Sequence, residues 1–234
     1  MSWQTPLERN TAAVDQIVVE QSQRAFMVRV YRWMFVGLSV TGGVALYTAS
    51  SPALLQLVVP HLMFLLIAEL LVVLGLTFAA LRVSGTVAGG LFLLYATMNG
   101  LTFSTIFLVF ELGSIGQAFL LTAGTFGAMS AYATLTKKDL SAWRTFLFIG
   151  LFGVMIAGVV QLFWHSEGFS FVWSCACVVV FAGLTAYDTQ KLRQMHAGAG
   201  YSSAASLSVS GALMLYLDFV NLFLALLRLF GRRR

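Results

Sequence analysis

Long apolar runs are the feature that most constrains the fold of this chain. Seven of them stand out, each near the length of about 20 residues that an α-helix needs to cross a bilayer. They cover residues 29–49, 61–81, 87–110, 115–135, 145–164, 170–190 and 207–229. Only 10% of the 234 residues are charged, whereas about 25% is usual in a soluble domain. The sequence therefore predicts an all-α integral membrane protein, a bundle of seven transmembrane helices.

Outside these runs, little of the chain remains for a soluble domain. Residues 1–25 hold several charges and no apolar run of the kind that forms the core of a signal peptide. We therefore expect a polar N-terminal segment over residues 1–25, a transmembrane domain over 26–231 and a basic tail over 232–234. Pro60 is expected to mark the start of the second helix, because a proline at the first helical position loses no hydrogen bond.

The distribution of Lys and Arg predicts the orientation of the bundle. The N-terminal segment carries arginines, and the second, fourth and sixth connections between the runs are basic; they hold Arg82, then Lys137, Lys138 and Arg144, then Lys191 and Arg193. The other three connections carry neither residue type. Because basic connections tend to stay in the cytoplasm, we expect a cytoplasmic N-terminus. Charges at membrane edges also account for the net charge of +5, so no nucleic-acid partner is expected.

The C-terminal arginines do not follow this pattern. After seven crossings, Arg228 and the tail residues 232–234 would lie on the side opposite to the N-terminus. Two alternatives remain open: the tail is too short to affect orientation, or the seventh run enters the membrane and returns. We favour seven full crossings, because the other connections agree and residues 207–229 are long enough to cross.

Three acidic residues lie within the apolar runs: Glu69 in the second, Asp188 in the sixth and Asp218 in the seventh. An ionised carboxylate in the middle of a bilayer costs a few kcal/mol, so such residues usually face the bundle interior and have a function. We expect Asp188 near the cytoplasmic end of its helix. Asp218 should lie about 16 Å deep in the next helix, at about 1.5 Å per residue.

The short connection between the sixth and seventh runs would let Asp188 and Asp218 approach each other. Two such carboxylates in a dry site cannot both be charged, so one keeps a proton. Protonation would let the helices close through a hydrogen bond, and deprotonation would separate them or recruit a cation. Arg82 is a candidate latch that pairs with Asp188. Other polar residues that are candidates for lining the same interior are Asn221, Asn99 and Gln161.

Simpler interpretations of the three acids remain open. Asp188 would be an interfacial residue that interacts with Lys191 three positions later, and Asp218 and Glu69 would be neutral acids in helix contacts. The three histidines are far apart and lack Cys or Glu at ligand spacing. No cofactor is therefore expected, and the metal that we consider is calcium at Asp188 and Asp218.

Three segments resemble the Bax inhibitor family, also called the transmembrane Bax inhibitor motif family. They are residues 185–192 (TAYDTQKL), residues 215–224 (LYLDFVNLFL) and residues 136–141 (TKKDLS). The resemblance extends from about Arg24 to Gly231 and is strongest in the last two helices. It is closest to the bacterial inner-membrane branch of the family.

This resemblance implies a seven-helix fold with the seventh helix at the centre. It also implies a pH-sensitive calcium leak governed by an aspartate pair, whose positions match Asp188 and Asp218. An acidic residue of the second helix in the family matches Glu69, and an arginine that pairs with the first aspartate corresponds approximately to Arg82. Eukaryotic relatives restrain cell death, and one bacterial relative restrains a membrane protease.

The leading functional hypothesis is a proton-gated cation leak rather than an enzyme. Calcium prefers oxygen ligands, which the aspartates, Glu69 and backbone carbonyls would supply. An intramembrane aspartyl protease is disfavoured, because residues 215–218 lack the Gly-x-Gly-Asp pattern of that class. A retinal receptor would need a lysine in mid-membrane, and the three lysines all lie at edges. A regulatory protein that binds a membrane protease or another membrane protein remains the alternative.

Overall fold

The computed structural model of the protein describes residues 6–79, 82–164, 166–198 and 204–234. Over these residues the chain is almost entirely helical, which confirms the all-α class. The α-helices are α1 (Pro6–Ser50), α2 (Pro52–Val58), α3 (Leu62–Ala79), α4 (Gly85–Phe103), α5 (Ile106–Val109), α6 (Leu112–Leu135), α7 (Arg144–Phe163), α8 (Glu167–Gly198) and α9 (Ala204–Phe230). Short 3-10 turns occupy Val59–His61 and Leu140–Trp143.

The described part of the chain contains seven stretches that are long and apolar enough to cross a membrane, as predicted. We call them spans one to seven, and they are Val18–Ser50, Pro52–Thr77, Gly85–Val109, Leu112–Leu135, Leu140–Gln161, Glu167–Met195 and Ala205–Phe230. The bundle thus has two ends. We call the end where the odd-numbered spans start the N-terminal face, and the end where they finish the C-terminal face.

The second span begins earlier than predicted. Its first helix starts at Pro52, and Pro60 lies inside the 3-10 turn that separates α2 from α3. Both Pro52 and Pro60 are compatible with a first helical turn. The sequence prediction assigned the helix start to the later one. Since Pro60 has no N–H to donate, the regular α-helical pattern is interrupted there. The same span, Pro52–Thr77, continues as α3.

The helix of span six, α8, extends beyond the predicted sixth run. It continues to Gly198, whereas the apolar run ends at residue 190. Span six ends at Met195, so Asp188 lies seven residues inside it, about 10 Å from its end. The prediction that Asp188 lies near the helix end was therefore wrong. Polar residues after position 188 lowered the local hydropathy and concealed the last turns of the helix.

Span seven is the centre of the bundle, as the family resemblance implied. In its most apolar 18-residue window 61% of the residues are buried, against 39% or fewer in the other spans. Its side chains with 1% of their surface exposed or less include Val209, Leu215, Tyr216 and Leu222. The other spans expose many large apolar side chains on the surface that a bilayer would cover.

The C-terminal tail is bound to the connection between spans three and four. The Glu111 N–H donates to the Arg232 carbonyl and the Arg234 N–H donates to the Val109 carbonyl, both at 3.0 Å. The Arg232 N–H donates to Ser114 Oγ at 3.0 Å. Because this connection is at the C-terminal face, span seven crosses the bundle completely and does not return.

Candidate functional site

Two antiparallel helices hold the predicted aspartate pair. At the N-terminal face the two helices meet closely, since a Cβ built on Gly211 would lie 2.8 Å from Cδ2 of Leu192. Measured from the N-terminal face, Asp188 lies one helical turn deeper than Leu192, and Asp218 lies two helical turns deeper than Gly211. At about 1.5 Å per residue, the depths of the two aspartates differ by about 4 Å. The register of spans six and seven therefore brings the pair to similar depths.

Asp218 occupies the inner position of this pair. Its side chain is 5% exposed, and Oδ2 is buried with no hydrogen-bond partner among the described residues. The Asp188 carboxylate is close enough to repel a charge on Asp218. An unpartnered carboxyl oxygen beside a second carboxylate is an arrangement that a shared proton or a cation would stabilise.

Asp188 occupies the outer position and is half-buried. The Lys191 ammonium group attracts its charge and lies 5.8 Å from the centre of the Tyr187 ring. The next residue, Thr189, is fully buried and its Oγ1 is 3.4 Å from Ser130 Oγ on span four. The interaction of Asp188 with Lys191 that the simpler interpretation predicted stays a prediction, because the described residues show no ion pair between these two side chains.

Arg82, the predicted latch, is exposed in the connection between α3 and α4. The structure describes both Arg82 and Asp188 and shows no ion pair between them; the basic group that acts on Asp188 is Lys191. The pairing of Arg82 with Asp188 therefore stays a prediction.

Asn221 follows Asp218 by three residues and is half-buried. Its Nδ2 donates to the Leu217 carbonyl of its own helix at 2.8 Å. Its place in an ion pathway also stays a prediction.

Glu69 and Asn99 belong to a second polar cluster, on the other side of span seven. The Thr102 hydroxyl donates to Glu69 Oε1, and Asn99 forms a side-chain hydrogen bond with Tyr95. Glu69 is 8% exposed and Asn99 is 4% exposed. The Glu69 carboxylate is close enough to act electrostatically on the Tyr216 hydroxyl. The sequence-predicted candidates thus form two groups, not one.

Tyr216 connects this second cluster to span one, and sequence reasoning missed its role. Its hydroxyl and Thr41 Oγ1 are 2.7 Å apart, and Thr41 Oγ1 donates to the Ala96 carbonyl at 2.9 Å. The Tyr216 ring packs edge-on against Phe92 and Tyr95. The available signal was a tyrosine in mid-span, since a buried phenol normally finds a hydrogen-bond partner.

Gln161 belongs neither to the aspartate pair nor to the second polar cluster. It lies at the C-terminal end of span five, where its Nε2 donates to Ser170 Oγ on span six. Its Oε1 is buried and has no hydrogen-bond partner among the described residues. The expectation that Gln161 shares the interior of the aspartate pair was therefore wrong, because the two sites are at opposite ends of span six.

The family-like segments 136–141 and 185–192 contact each other at the N-terminal face. Gln190 Oε1 accepts from the Leu140 N–H at 2.7 Å, and its Nε2 donates to the Lys138 carbonyl at 2.9 Å. Asp139 accepts from the Ser141 N–H, which lowers the pKa of this exposed carboxyl below its ordinary value. Gln190 thus holds the connection against span six, two residues from Asp188.

A resident metal centre is not evident in the part of the chain that the structure describes. No group of three or more His, Cys, Asp or Glu residues there could hold a metal ion. Two carboxylates, completed by carbonyls or water, suit a cation that binds weakly and moves on better than one that is stored. Calcium binding by Asp188 and Asp218 stays a prediction.

Comparison with known proteins is consistent with this architecture. The model of the family described as "Inhibitor of apoptosis-promoting Bax1" matches residues 23–234. The inner membrane protein YbhL of Escherichia coli K12 is 44% identical over 217 residues, which are 90% of this chain and 93% of that protein. An uncharacterized protein of Deinococcus radiodurans is 41% identical, with 94% and 98% covered. An uncharacterized membrane protein of Streptococcus pyogenes is 41% identical over 142 residues, 61% of this chain and 62% of that protein.

Proposed function

Since the chain belongs to the Bax inhibitor family of membrane proteins, we propose that it is a pH-sensitive leak pathway for cations, with calcium as the transported ion. The gate is the aspartate pair Asp188 and Asp218. The protein acts in a bacterial inner membrane with its N-terminal face toward the cytoplasm, and it performs no covalent chemistry.

The observation that carries this proposal is the buried, unpartnered Oδ2 of Asp218 beside the Asp188 carboxylate. With one proton between them, the two groups attract each other and hold spans six and seven together. When that proton leaves, two negative charges share a site of low dielectric, and their repulsion is relieved by separation or by a cation. Because span seven is the central helix, a shift of this helix affects contacts with most of the bundle.

The second polar cluster supports a path that continues past the gate. Glu69, Asn99 and Tyr216 place oxygen atoms on the opposite face of span seven. Carboxylate, amide and hydroxyl oxygens are the ligands that calcium accepts. We assign Glu69 and Asn99, together with Asn221, to the pathway and Asp188 and Asp218 to its control.

The test is calcium flux into proteoliposomes between about pH 6 and about pH 8, with one of two neighbouring carboxyl groups expected to keep its proton at the lower end of this range. The parent protein should admit more calcium as the pH rises, because the pair loses its shared proton. Asp188→Asn and Asp218→Asn should each remove this pH response, since an amide cannot give up a proton in this range. Asp139→Asn is the matched control, because Asp139 is exposed and lies in a connection.

Two outcomes would count against the proposal in different ways. If both dyad variants keep the pH response of the parent, the aspartate pair is not the gate. If the parent itself admits no calcium at any pH, the chain does not conduct, and regulation of a membrane protease or another membrane protein becomes the better hypothesis.

A further inference from the structure

An apolar cavity of about 380 Å³ lies in the half of the bundle nearer the C-terminal face. Spans one, three, four and seven form its walls, and the lining includes Ala45, Phe103, Ile115, Phe119 and Phe223. This volume falls within the range of about 300–1,000 Å³ that is usual for sites that bind small molecules.

The wall of the cavity offers a ligand almost no polar group. Thr41 is the one polar side chain among the lining residues, and its hydroxyl is engaged with the Ala96 carbonyl and the Tyr216 hydroxyl. The rim is formed in part by Leu46, Leu112 and Phe119, which are 53%, 60% and 46% exposed. Because these residues lie in spans, the rim faces the hydrocarbon of the bilayer. An acyl chain is therefore the occupant with direct access.

Positive charge lies at the end of the same cavity. Ser114, which binds the Arg232 N–H at 3.0 Å, is between the lining residues Leu112 and Ile115. The main-chain bonds of the tail hold all three terminal arginines at this connection, and their side chains are exposed. Glu111 is the acidic residue beside them, so the local charge stays positive. The arginines are at the level where lipid head groups begin.

We propose that this cavity and the C-terminal arginines form a binding site for one anionic phospholipid of the leaflet at the C-terminal face. One acyl chain occupies the cavity between spans one and four, and the phosphate group is bound by the arginines at positions 232–234. The site explains why a basic tail is placed on the face that the orientation rule leaves without Lys and Arg. It does not depend on whether the chain conducts calcium.

The test compares binding of phosphatidylglycerol and phosphatidylcholine to the purified full-length protein by native mass spectrometry. The two lipids can share acyl chains and differ in charge. The parent protein should prefer phosphatidylglycerol by about tenfold or more, because each basic residue near a membrane surface adds to the attraction of anionic lipid. Replacing the three tail arginines by glutamine should remove this preference. The substitution leaves the main-chain hydrogen bonds of the tail available, so the tail can keep its position. The matched control replaces Lys137, Lys138 and Arg144 by glutamine.

The acyl-chain part of the site is tested by filling the cavity. Gly42 lines it, and a Cβ added there meets nothing within 4 Å, so Gly42→Leu should fold and should weaken binding of both lipids. Gly43→Leu is the matched control, because Gly43 also has open space around it and does not line the cavity. Gly116→Leu provides a second filling variant from span four, with the same free space.

Three results would overturn this proposal. They are equal binding of the two lipids by the parent, an unchanged preference in the arginine variant, and unchanged lipid binding in both filling variants. Inorganic phosphate and glycerophosphoglycerol, which lacks acyl chains, serve as competitors. Displacement of phosphatidylglycerol by either of them at equal concentration would show a simple anion site without chain insertion, and would also contradict the proposal.

Discussion

At the scale of single residues, polar side chains within the spans are stabilised by pairing across helices. Thr41, Tyr216 and the Ala96 carbonyl connect spans one, seven and three through two hydrogen bonds. Thr102 bonds Glu69 and connects spans three and two. Asp218 and Gln161 are exceptions, since each has one buried side-chain oxygen with no partner among the described residues. A buried polar atom left unpaired is costly, and of these two residues only Asp218 has a second carboxylate, Asp188, on the facing helix.

Tyr216→Phe isolates one of these hydrogen bonds. The ring contacts with Phe92 and Tyr95 remain, and Thr41 keeps its bond to the Ala96 carbonyl, so only the Tyr216 hydroxyl is lost. We expect the free energy of unfolding to fall by about 0.5–1.5 kcal/mol, measured by reversible unfolding in mixed micelles. Tyr187→Phe is the control, because the described residues show no hydrogen bond to the Tyr187 hydroxyl and its ring contact with Lys191 is retained. Equal losses in the two variants would contradict a specific role for the Tyr216 bond.

At the scale of elements, glycines determine how closely spans one and three approach. A Cβ built on Gly100 would lie 2.7 Å from Val44 Cβ and 2.8 Å from the Thr41 carbonyl oxygen. A Cβ on Gly89 would lie 2.8 Å from the Trp33 ring. In a membrane, where lipid is as apolar as the helix surface, such close contacts supply much of the association energy. The same close approach keeps Thr41 within hydrogen-bonding distance of Ala96.

Gly100→Ala should therefore separate spans one and three. The added methyl group meets a backbone oxygen, which cannot move aside as a side chain can, and we expect a loss of about 1–3 kcal/mol in the free energy of unfolding. Gly90→Ala is the matched control in the same helix, because its Cβ would meet nothing within 4 Å. This control should leave stability unchanged or raise it slightly, since alanine is the better helix former. If the Gly100→Ala variant is as stable as the Gly90→Ala variant, the contact between spans one and three tolerates separation, which would contradict this prediction.

At the scale of the whole molecule, the contacts at the C-terminal face account for the arginines that the sequence left unexplained. The Arg228 guanidinium lies 4.4 Å from the centre of the Trp173 ring on span six. The Trp173 Nε1 in turn donates to the Val154 carbonyl of span five at 2.8 Å. Arg228 is thus held on an aromatic surface, a favourable contact for a cation. The arginines that follow it are held by the main-chain bonds of the tail.

The two ends of the chain should therefore lie on opposite sides of the membrane. A reporter that is active only outside the cytoplasm, fused after Arg234, should give a signal in bacterial cells. The same reporter fused after Lys138 should be silent, because that connection lies at the N-terminal face. A cytoplasmic location for the fusion after Arg234, in a protein that retains its fold, would contradict seven full crossings or the predicted orientation.

The number of crossings, the helical class and the family were predictable from the sequence. Bilayer thickness sets the length of an apolar run, and that length is a local property that can be counted. The three acids within the spans were also identifiable, because any charged residue within such a run is conspicuous. The prediction of helix bounds from the sequence was less accurate. Pro60 misled the prediction of where span two starts, and the polar residues after Asp188 misled the prediction of where span six ends.

Only the tertiary structure decided which of these groups meet. Whether Asp188 and Asp218 share a depth depends on the register between two helices, which the contact of Gly211 with Leu192 sets. The separation of Glu69 and Asn99 from the aspartate pair depends on the rotation of span seven about its axis. The place of the basic tail depends on hydrogen bonds to residues more than a hundred positions away. Register, rotation and long-range pairing arise from the packing of small residues between helices, and no local pattern in the sequence records them.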